Sequence, residues 1–325
     1  MTGKIAVEEH FAIEETLDGA MNFKSSDAMK AMRASILDIH EQRLRLMDQH
    51  GIEMMVLSLN APAIQSIPDP RRAVEVTRLA NDFLASEIQK RQDRFAGFAA
   101  VAMQDPDAAV VELKRAVKEL GFCGALVNGY SECPTPGRAL YYDLPEYEAF
   151  WATLQELNVP LYLHTRDPLP DQQKVYEGHP WLTGAAWAFG AEASAHAARL
   201  MCSGIFDRYP SVQIILGHLG EGMPYNIWRL EHRVRKSPRG IPAKKPLGEY
   251  FRSNFYLSVS GNFSTLTLLA AVEQIGSDRI LFAIDYPFED IAQAADWLET
   301  AELDDDLRRK IARENAISLF RLECS

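Results

Sequence analysis

Five polar residues suited to metal binding or proton transfer stand at or near the ends of apolar segments. Glu8 and His10 end the first such segment, and three later segments end near His164, His218 and Asp285. Side chains two residues apart on a strand point to the same face, so Glu8 and His10 can bind one object if their segment is a strand. Carboxylates with imidazoles suit Zn²⁺, Mn²⁺ or Fe²⁺. These residue types therefore predict a divalent metal site with positions left open for water or substrate.

Eight short apolar runs alternate with segments of helical periodicity, which is the pattern of repeated strand–helix units in a parallel sheet. Strands are predicted over 4–10, 54–60, 95–102, 124–129, 160–165, 214–220, 255–261 and 280–287. Helices are predicted over 71–90, 107–120, 146–157, 191–208, 224–235, 264–275, 291–299 and 305–322. The pattern predicts an α/β fold, a (β/α)8 TIM barrel, whose metal site lies at the C-terminal ends of the strands.

The length of the chain fits one large barrel. A chain of 325 residues with 47% hydrophobic composition is within the range in which an α/β barrel forms a single domain. We therefore expect residues 1–325 to form one barrel domain. Two stretches, at about 11–35 and 166–190, exceed ordinary loop length and follow strands one and five. Insertions at these strand ends are expected to lie over the barrel mouth as lids or pocket walls.

Charge and composition argue against several kinds of partner. The net charge of −11 disfavours nucleic acid and anionic membrane surfaces as partners. No apolar run approaches the roughly 18 residues needed to cross a bilayer, and the first strand leaves no room for a secretory apolar segment. The four cysteines form neither a C-x-x-C pair nor a disulfide-scaffold spacing. We expect a cytoplasmic protein with neither a membrane nor a nucleic-acid partner.

Each polar residue could alternatively be a hydrogen-bonded group at the edge of the barrel core. For any one of them this explanation is about as good as metal binding. Five such groups at the same end of one barrel are much harder to explain in this way, so the metal site is the favoured interpretation. Gly217–Glu221 contains a glycine-rich run, but its spacing is not that of a dinucleotide-binding loop.

Several motifs together resemble a known family. They are 3–10 (GKIAVEEH), 57–62 (LSLNAP), 120–122 (LGF), 124–129 (GALVNG), 161–164 (LYLH), 217–221 (GHLGE), 278–282 (DRILF) and 285–289 (DYPFE). These segments resemble the amidohydrolase superfamily and, within it, the metal-dependent nonoxidative aromatic-acid decarboxylases. The resemblance extends over essentially the whole chain, and the family's fold is the barrel expected above.

The resemblance implies metal-binding roles for four residues. Glu8, His10, His164 and Asp285 match the family's ligand positions. They would hold one divalent ion per subunit, Zn²⁺ or Mn²⁺, because both ions accept this mixture of donors. The family implies no organic cofactor, and it implies a homo-oligomer, either a tetramer or a dimer.

The resemblance also implies residues that contact the substrate. Phe23 matches a position that stacks on an aromatic ring, and Arg229 matches a position near the substrate. Asn60 and Asn128 lie in matching segments and are expected to bind substrate as well. From the residues alone, Arg229 could equally be a surface arginine, and Phe23 could equally be a core residue of a lid.

The implied reaction is reversible, nonoxidative decarboxylation of an ortho-hydroxybenzoate, a small aromatic hydroxy acid. His10 favours 2,6-dihydroxybenzoate, which would give resorcinol and CO₂, because relatives acting on 2,3-dihydroxybenzoate or salicylate tend to have alanine there. Both of those acids stay open as alternatives. Tyr286 resembles the 2,3-dihydroxybenzoate branch, and residues 164–168 read HTRDP where close relatives usually read HPRNP.

The chemistry of such a reaction suggests roles for three residues. Direct loss of CO₂ from an aryl carboxylate leaves an unstabilised carbanion, so the ring carbon must be protonated first. An ortho hydroxyl group increases the electron density at that carbon, and a metal acts as Lewis acid and template. The hypothesis is that Asp285 is the catalytic acid, assisted by a His218–Glu221 pair.

Two other functions are compatible with a metal-binding barrel. One is a mononuclear metal-dependent hydrolase of a lactone or amide, but many such hydrolases begin with His-x-His rather than Glu8-x-His10. Binuclear hydrolases usually carry a bridging lysine at the end of strand four, and 124–129 contains no lysine. The other is a non-catalytic metal-binding protein, for which a His218–Glu221 pair beside an open metal site would have little use.

Overall fold

Eight parallel strands form one sheet in which neighbours along the chain are neighbours in space. The computed structural model describes residues 3–17 and 26–322. The barrel strands are β1 (Lys4–Phe11), β2 (Ile52–Leu59), β3 (Phe95–Ala100), β4 (Gly124–Asn128), β5 (Leu161–His164), β6 (Ile214–Leu216), β7 (Phe255–Ser258) and β8 (Ile280–Leu281). Each strand pairs in parallel with the next one along the chain.

The first and last strands close the sheet into a ring. The Val7 N–H donates to the Phe282 carbonyl over 3.1 Å, and the His10 N–H donates to the Tyr286 carbonyl over 2.7 Å. These bonds run between β1 and the chain that follows β8. Together with the helices between the strands, the ring confirms the predicted (β/α)8 TIM barrel.

Helices occupy most of the connections between strands. They are α1 (Asp27–Leu37), α2 (Gln42–His50), α3 (Pro70–Lys90), α4 (Pro106–Lys118), α5 (Glu148–Leu157), α6 (Ala188–Cys202), α7 (Ile205–Arg208), α8 (Met223–Lys236), α9 (Leu247–Asn254), α10 (Thr265–Ile275), α11 (Ile291–Thr300), α12 (Asp305–Arg309) and α13 (Asn315–Phe320). A short antiparallel hairpin, Ser131–Glu132 with Ala139–Leu140, follows β4. None of the described helices combines the length and apolar character that a membrane span requires.

The apolar core has an outer part and an inner part. In the outer part, alternate strand residues such as Val127 and Leu163 pack against the helices. The inner part fills the barrel and includes Val7 and Phe98. Phe320 of α13 packs on Phe98 with ring centroids 5.5 Å apart, so the last helix closes the end of the barrel opposite the predicted site.

A β-bulge in β1 sets which of its side chains face the barrel interior. Ala6 lies opposite Met55 and Glu9 lies opposite Leu57, so β1 has one more residue than β2 over this interval. A bulge of one residue lets two successive side chains occupy the same face. Val7 belongs to the inner core. The next residue, Glu8, also points inward, because it contacts Tyr162 of β5 and Ser258 of β7.

Several predicted boundaries were wrong. Regular β8 pairing ends at Leu281 rather than near 287, although the chain beyond it keeps separate hydrogen bonds to β1. Strand β6 ends at Leu216 rather than at 220, because a 3₁₀ turn begins at His218. Helices α1, α2 and α9 were not predicted, and α1 occupies part of the stretch 11–35 that was expected to be a loop insertion. The stretch 166–190 contains short 3₁₀ turns and the start of α6.

Candidate metal centre

Four side chains that were predicted as metal ligands converge at the C-terminal end of the barrel. One potential ligand atom from each of Glu8, His10, His164 and Asp285 lies within 4.8 Å of the other three. Glu8 and His10 are on β1, His164 is the last residue of β5, and Asp285 follows β8. Glu8 and His10 have no exposed surface.

The free atoms of this group suit a cation. Glu8 Oε1, His10 Nε2 and Asp285 Oδ1 are buried and have no hydrogen-bond partner among the described residues. Buried polar atoms are costly unless something binds them. His10 Nε2 lies 3.1 Å from Asp285 Oδ1, and His164 Nε2 lies 3.2 Å from Glu8 Oε1. Two carboxylates and two imidazoles around one point form a donor set for a divalent transition metal.

The other oxygen of Glu8 is held by the barrel wall. Glu8 Oε2 accepts hydrogen bonds from the Tyr162 hydroxyl group and, over 2.9 Å, from the Ser258 hydroxyl group. Tyr162 comes from β5 and Ser258 from β7. These two donors leave Oε1 as the oxygen that is free to bind a metal.

The two histidines are oriented by residues on neighbouring strands. Asn128 lies opposite His164 in the β4–β5 pairing, and its Oδ1 is 2.8 Å from His164 Nδ1. Because an amide oxygen can only accept, Nδ1 carries the proton and Nε2 keeps its lone pair. Ser58 lies opposite His10, and its hydroxyl oxygen is 3.2 Å from His10 Nδ1. Burial lowers the pKa of His164, which favours the neutral form that binds metals.

A chain of close polar contacts lies beside the four predicted ligands. Glu221 Oε1 is 2.7 Å from His218 Nδ1, and His218 Nε2 is 3.5 Å from Asp285 Oδ2. Asp285 therefore directs one oxygen toward the ligand group and the other toward His218. Burial by itself would lower the pKa of His218, but the negative charges of Glu8, Asp285 and Glu221 raise it well above the ordinary value.

The backbone around these residues is in an unusual conformation. His218, Leu219 and Glu221 all have positive φ, at 51°, 57° and 55°, and Asp285 has φ of 80°. Residues other than glycine rarely adopt this region, and clusters of such residues occur at functional sites. The turn after β6 brings the Glu221 carboxylate against the His218 ring.

The other predicted residues have different surroundings. Asn128 Nδ2 donates to the Asn60 carbonyl over 3.1 Å, and Asn60 Oδ1 accepts from the Thr16 hydroxyl group over 2.9 Å. Both asparagines are thus engaged with protein groups. Arg229 is exposed on α8. Phe23 lies outside the described residues. The substrate contacts of all four stay predictions.

Sequence reasoning missed the residues that hold the ligands in place. Ser58, Tyr162 and Ser258 were not identified, although each is a polar residue near the C-terminal end of a barrel strand. Tyr162 precedes His164 by two residues, so it shares the inward face of β5. A search for polar residues at that spacing from a ligand would have found it.

Comparisons with known proteins show which proteins this chain resembles. The amidohydrolase family model matches residues 10–322. A γ-resorcylate decarboxylase from Polaromonas sp. (strain JS666) is 54% identical over 325 residues, with 99% of each chain covered. A crystal structure of 2,6-dihydroxybenzoate decarboxylase complexed with 2,6-dihydroxybenzoate has a TM-score of 0.96 at 53% identity, covering 99% of this chain and 100% of that chain.

A further crystal structure adds information about the metal. It is a dihydroxybenzoic acid decarboxylase from Polaromonas sp. JS666 with bound manganese and the inhibitor 2-nitroresorcinol, and its TM-score is 0.96 at 54% identity. The similarity covers 99% of this chain and 98% of that chain. From the match over nearly its whole length, the chain belongs to the amidohydrolase family.

Proposed function

We propose that this protein is a metal-dependent γ-resorcylate decarboxylase, a carboxy-lyase that converts 2,6-dihydroxybenzoate into resorcinol and CO₂. The full-length similarity to γ-resorcylate decarboxylases carries this assignment. The group of four potential ligands at the barrel mouth supplies a site for it. The relatives also favour this substrate over 2,3-dihydroxybenzoate and salicylate.

We propose Glu8, His10, His164 and Asp285 as the ligands of one Mn²⁺ ion per subunit. Manganese is bound in a related structure, and the same donor set would also accept Zn²⁺. When bound, the ion supplies Lewis-acid activation and a template for the substrate. We propose no organic cofactor, since protonation of the ring and loss of CO₂ require only an acid beside the metal.

The chain's own contribution to the chemistry is delivery of a proton. Asp285 Oδ2 and His218 Nε2 are 3.5 Å apart, which is close enough for a proton to pass between them after a small movement. We propose that Asp285 protonates the ring carbon bearing the carboxylate and that His218 restores the proton. Glu221 holds His218 in the required orientation through Nδ1.

Other features of the protein complete the proposal. We propose that four further residues contact the substrate or the groups around it: Phe23, Asn60, Asn128 and Arg229. We also propose that the stretches 11–35 and 166–190 border the barrel mouth. We propose a cytoplasmic homo-oligomer, a tetramer or dimer. The hydrolase alternative has less support, because β4 carries no lysine at its end and the relatives reported above are decarboxylases.

The decisive experiment is a product assay with three acids. Protein loaded with Mn²⁺ is incubated separately with 2,6-dihydroxybenzoate, 2,3-dihydroxybenzoate and salicylate, and the phenolic products are separated by chromatography. We expect resorcinol to form fastest. Faster formation of catechol or phenol would move the assignment to another substrate, and ester or amide cleavage without CO₂ release would replace it with a hydrolase.

Metal removal tests the same site. Dialysis against a chelator is expected to abolish resorcinol formation, and added Mn²⁺ is expected to restore it, because the proposed substrate orientation depends on the ion. The metal content is measured by mass spectrometry before and after dialysis. Full activity in metal-free protein would contradict the assignment of the four ligands.

A further inference from the structure

Glu9 lies between two of the proposed ligands but points away from them. It follows Glu8 and precedes His10 on β1, and it has no exposed surface. Its Oε1 accepts a hydrogen bond from the Ile284 N–H over 2.9 Å, and its Oε2 accepts one from the Tyr286 N–H over 3.2 Å. One side chain therefore binds the backbone on both sides of Asp285.

This contact adds to the backbone bonds that tie the chain after β8 to β1, among them the bond from the Asp285 N–H to the Glu8 carbonyl over 3.0 Å. Regular pairing of β8 ends at Leu281, four residues before Asp285. Asp285 is also held at a positive φ, which residues other than glycine adopt only when their surroundings enforce it. The two bonds from Glu9 fix the peptide groups on either side of this residue, and thus the direction of its side chain.

Arg43 of α2 reaches the same region from outside the barrel. It is fully buried, and its Nη2 donates to the His10 carbonyl over 2.6 Å. Its guanidinium carbon lies 4.8 Å from the centre of the Tyr286 ring. Arg43 Nε also donates to the Asp38 carbonyl over 3.1 Å, which ties the arginine to the turn before α2. Arg43 thus connects the backbone of His10 to Tyr286, the residue that follows Asp285.

Glu9 acts as a double acceptor, because each of its oxygens accepts one backbone N–H group. Burial raises the pKa of Glu9 well above its ordinary value, and the two backbone donors and nearby Arg43 only partly oppose this rise. Burying two ionisable side chains is costly unless they are well bonded. Neither side chain faces the interior of the barrel, so neither is available to bind metal or substrate directly.

We propose that Glu9 and Arg43 are positioning residues, which hold Asp285 and His10 in the geometry that binds the metal and delivers the proton. This inference rests on the proposed function, because it assumes that these two residues are ligands. Residues that orient metal ligands typically change metal affinity or activity by about 10- to 100-fold when they are substituted.

Glu9→Gln is the direct test, because it keeps the size of the side chain. An amide has one accepting oxygen, and its NH₂ group cannot accept the second backbone N–H. We expect Mn²⁺ to bind about 10- to 100-fold more weakly and kcat to fall by a similar factor. Affinity is measured by calorimetry on metal-free protein, and the electron paramagnetic resonance spectrum of bound Mn²⁺ reports any change in ligand geometry.

The matched control is Glu112→Gln, which replaces another buried glutamate. Glu112 accepts hydrogen bonds from Asn81 and Arg115 on the outer side of the barrel. We expect this variant to lower the thermal midpoint while leaving Mn²⁺ affinity and the spectrum within twofold of wild type. A loss of affinity in both variants would indicate general destabilisation and would overturn the positioning role.

Arg43→Lys provides a second variant in case Glu9→Gln does not fold. It keeps the positive charge but lacks the planar group that reaches the His10 carbonyl and covers Tyr286. We expect weaker Mn²⁺ binding here as well. Wild-type affinity and kcat in the folded variants would overturn the inference. Failure of the wild-type protein itself to bind Mn²⁺ or to release CO₂ would instead overturn the proposed function.

Discussion

The two roles proposed for Asp285 use oxygens that face different groups. Oδ1 lies 3.1 Å from His10 Nε2 within the ligand group, whereas Oδ2 lies 3.5 Å from His218 Nε2. Burial opposes ionisation of Asp285, but its close contacts with the imidazoles of His10 and His218 lower its pKa below the ordinary value. One side chain can both bind a metal and donate a proton when an adjacent imidazole supplies that proton.

Asp285→Asn separates these two roles. The amide oxygen can still bind a metal, but the side chain can no longer carry an acidic proton. We expect the variant to retain much of its metal and to lose at least about 10² in turnover, the lower range for general acid–base catalysis. Metal content and single-turnover rates are measured on the same preparation. Turnover close to that of wild type would exclude Asp285 as the acid.

The residues of the four-membered group were predictable because they end apolar segments, whereas the residues that support them were not. Glu8, His164 and Asp285 stand out in the sequence as polar residues at strand ends. Ser258 does not, since a serine after apolar residues is common and only its contact with Glu8 makes it relevant. Arg43 is harder still, because a buried arginine in a short polar helix has no periodic signal.

Among the elements, α6 has a direct effect on the turn after β6. A Cβ atom at Gly190 would lie 2.5 Å from Glu221 Oε2, so only glycine leaves room for that carboxylate. The Ser194 hydroxyl oxygen, one helical turn later, accepts a hydrogen bond from the Gly222 N–H over 3.2 Å. This face of α6 thus supports the turn that carries Glu221, whose carboxylate contacts His218.

Gly190→Ala is expected to lower turnover without lowering stability. The methyl group displaces Glu221 from His218 Nδ1, and loss of such orientation costs about tenfold or more. Alanine is intrinsically about 1 kcal/mol more favourable than glycine inside a helix, so the thermal midpoint is expected to stay level or rise. Turnover and thermal unfolding are measured on the same samples.

Two further variants show whether this effect passes through Glu221. Gly248→Ala is the control, because that helical glycine faces Glu231 rather than the metal centre, and its turnover is expected to be unchanged. In a Glu221→Ala background, Gly190→Ala is expected to change turnover by less than about twofold, because substitutions at residues in contact do not have additive effects. Additive losses would show that Gly190 acts through another contact.

The arrangement of elements followed from the sequence more closely than their boundaries did. Apolar strands buried on both faces produce clear signals, so all eight barrel strands were located. Helix α2 was missed because its buried positions include Arg43. The β-bulge was also invisible, because it depends on how β1 pairs with β2 rather than on the residues of β1.

At the scale of the whole molecule, Glu192 makes stability depend on pH. This residue of α6 is 4% exposed. Burial raises its pKa to about 7, and this effect exceeds the opposing influence of Tyr141, Arg166 and Arg199. At pH values between the ordinary pKa of a glutamate and 7, the folded protein therefore binds more protons than the unfolded chain. Stability from this group is complete at low pH and is lost as the pH rises toward 7.

Glu192→Gln is expected to remove this pH dependence. From pH 5 to pH 8, wild type is expected to lose about 2–3 kcal/mol of its free energy of unfolding through Glu192, at 1.36 kcal/mol per pKa unit. The variant has no ionisable group there and is expected not to show this loss. Urea denaturation at both pH values measures the difference. The exposed Glu177→Gln variant serves as control and is expected to follow wild type. A constant difference between Glu192→Gln and wild type would contradict the raised pKa.

The bulge in β1 also determines how molecules reach the metal centre. Because Val7 and Glu8 face the barrel interior in succession, an apolar residue lies directly beneath a proposed ligand. Phe98 and Phe320 continue this apolar floor to the opposite end of the barrel. The barrel interior is therefore closed below the four predicted ligands, and we expect the proposed metal and substrate to enter and leave through the mouth. An acid bound at the proposed site would lie between the ion and the mouth, so we expect bound substrate to slow the loss of the metal.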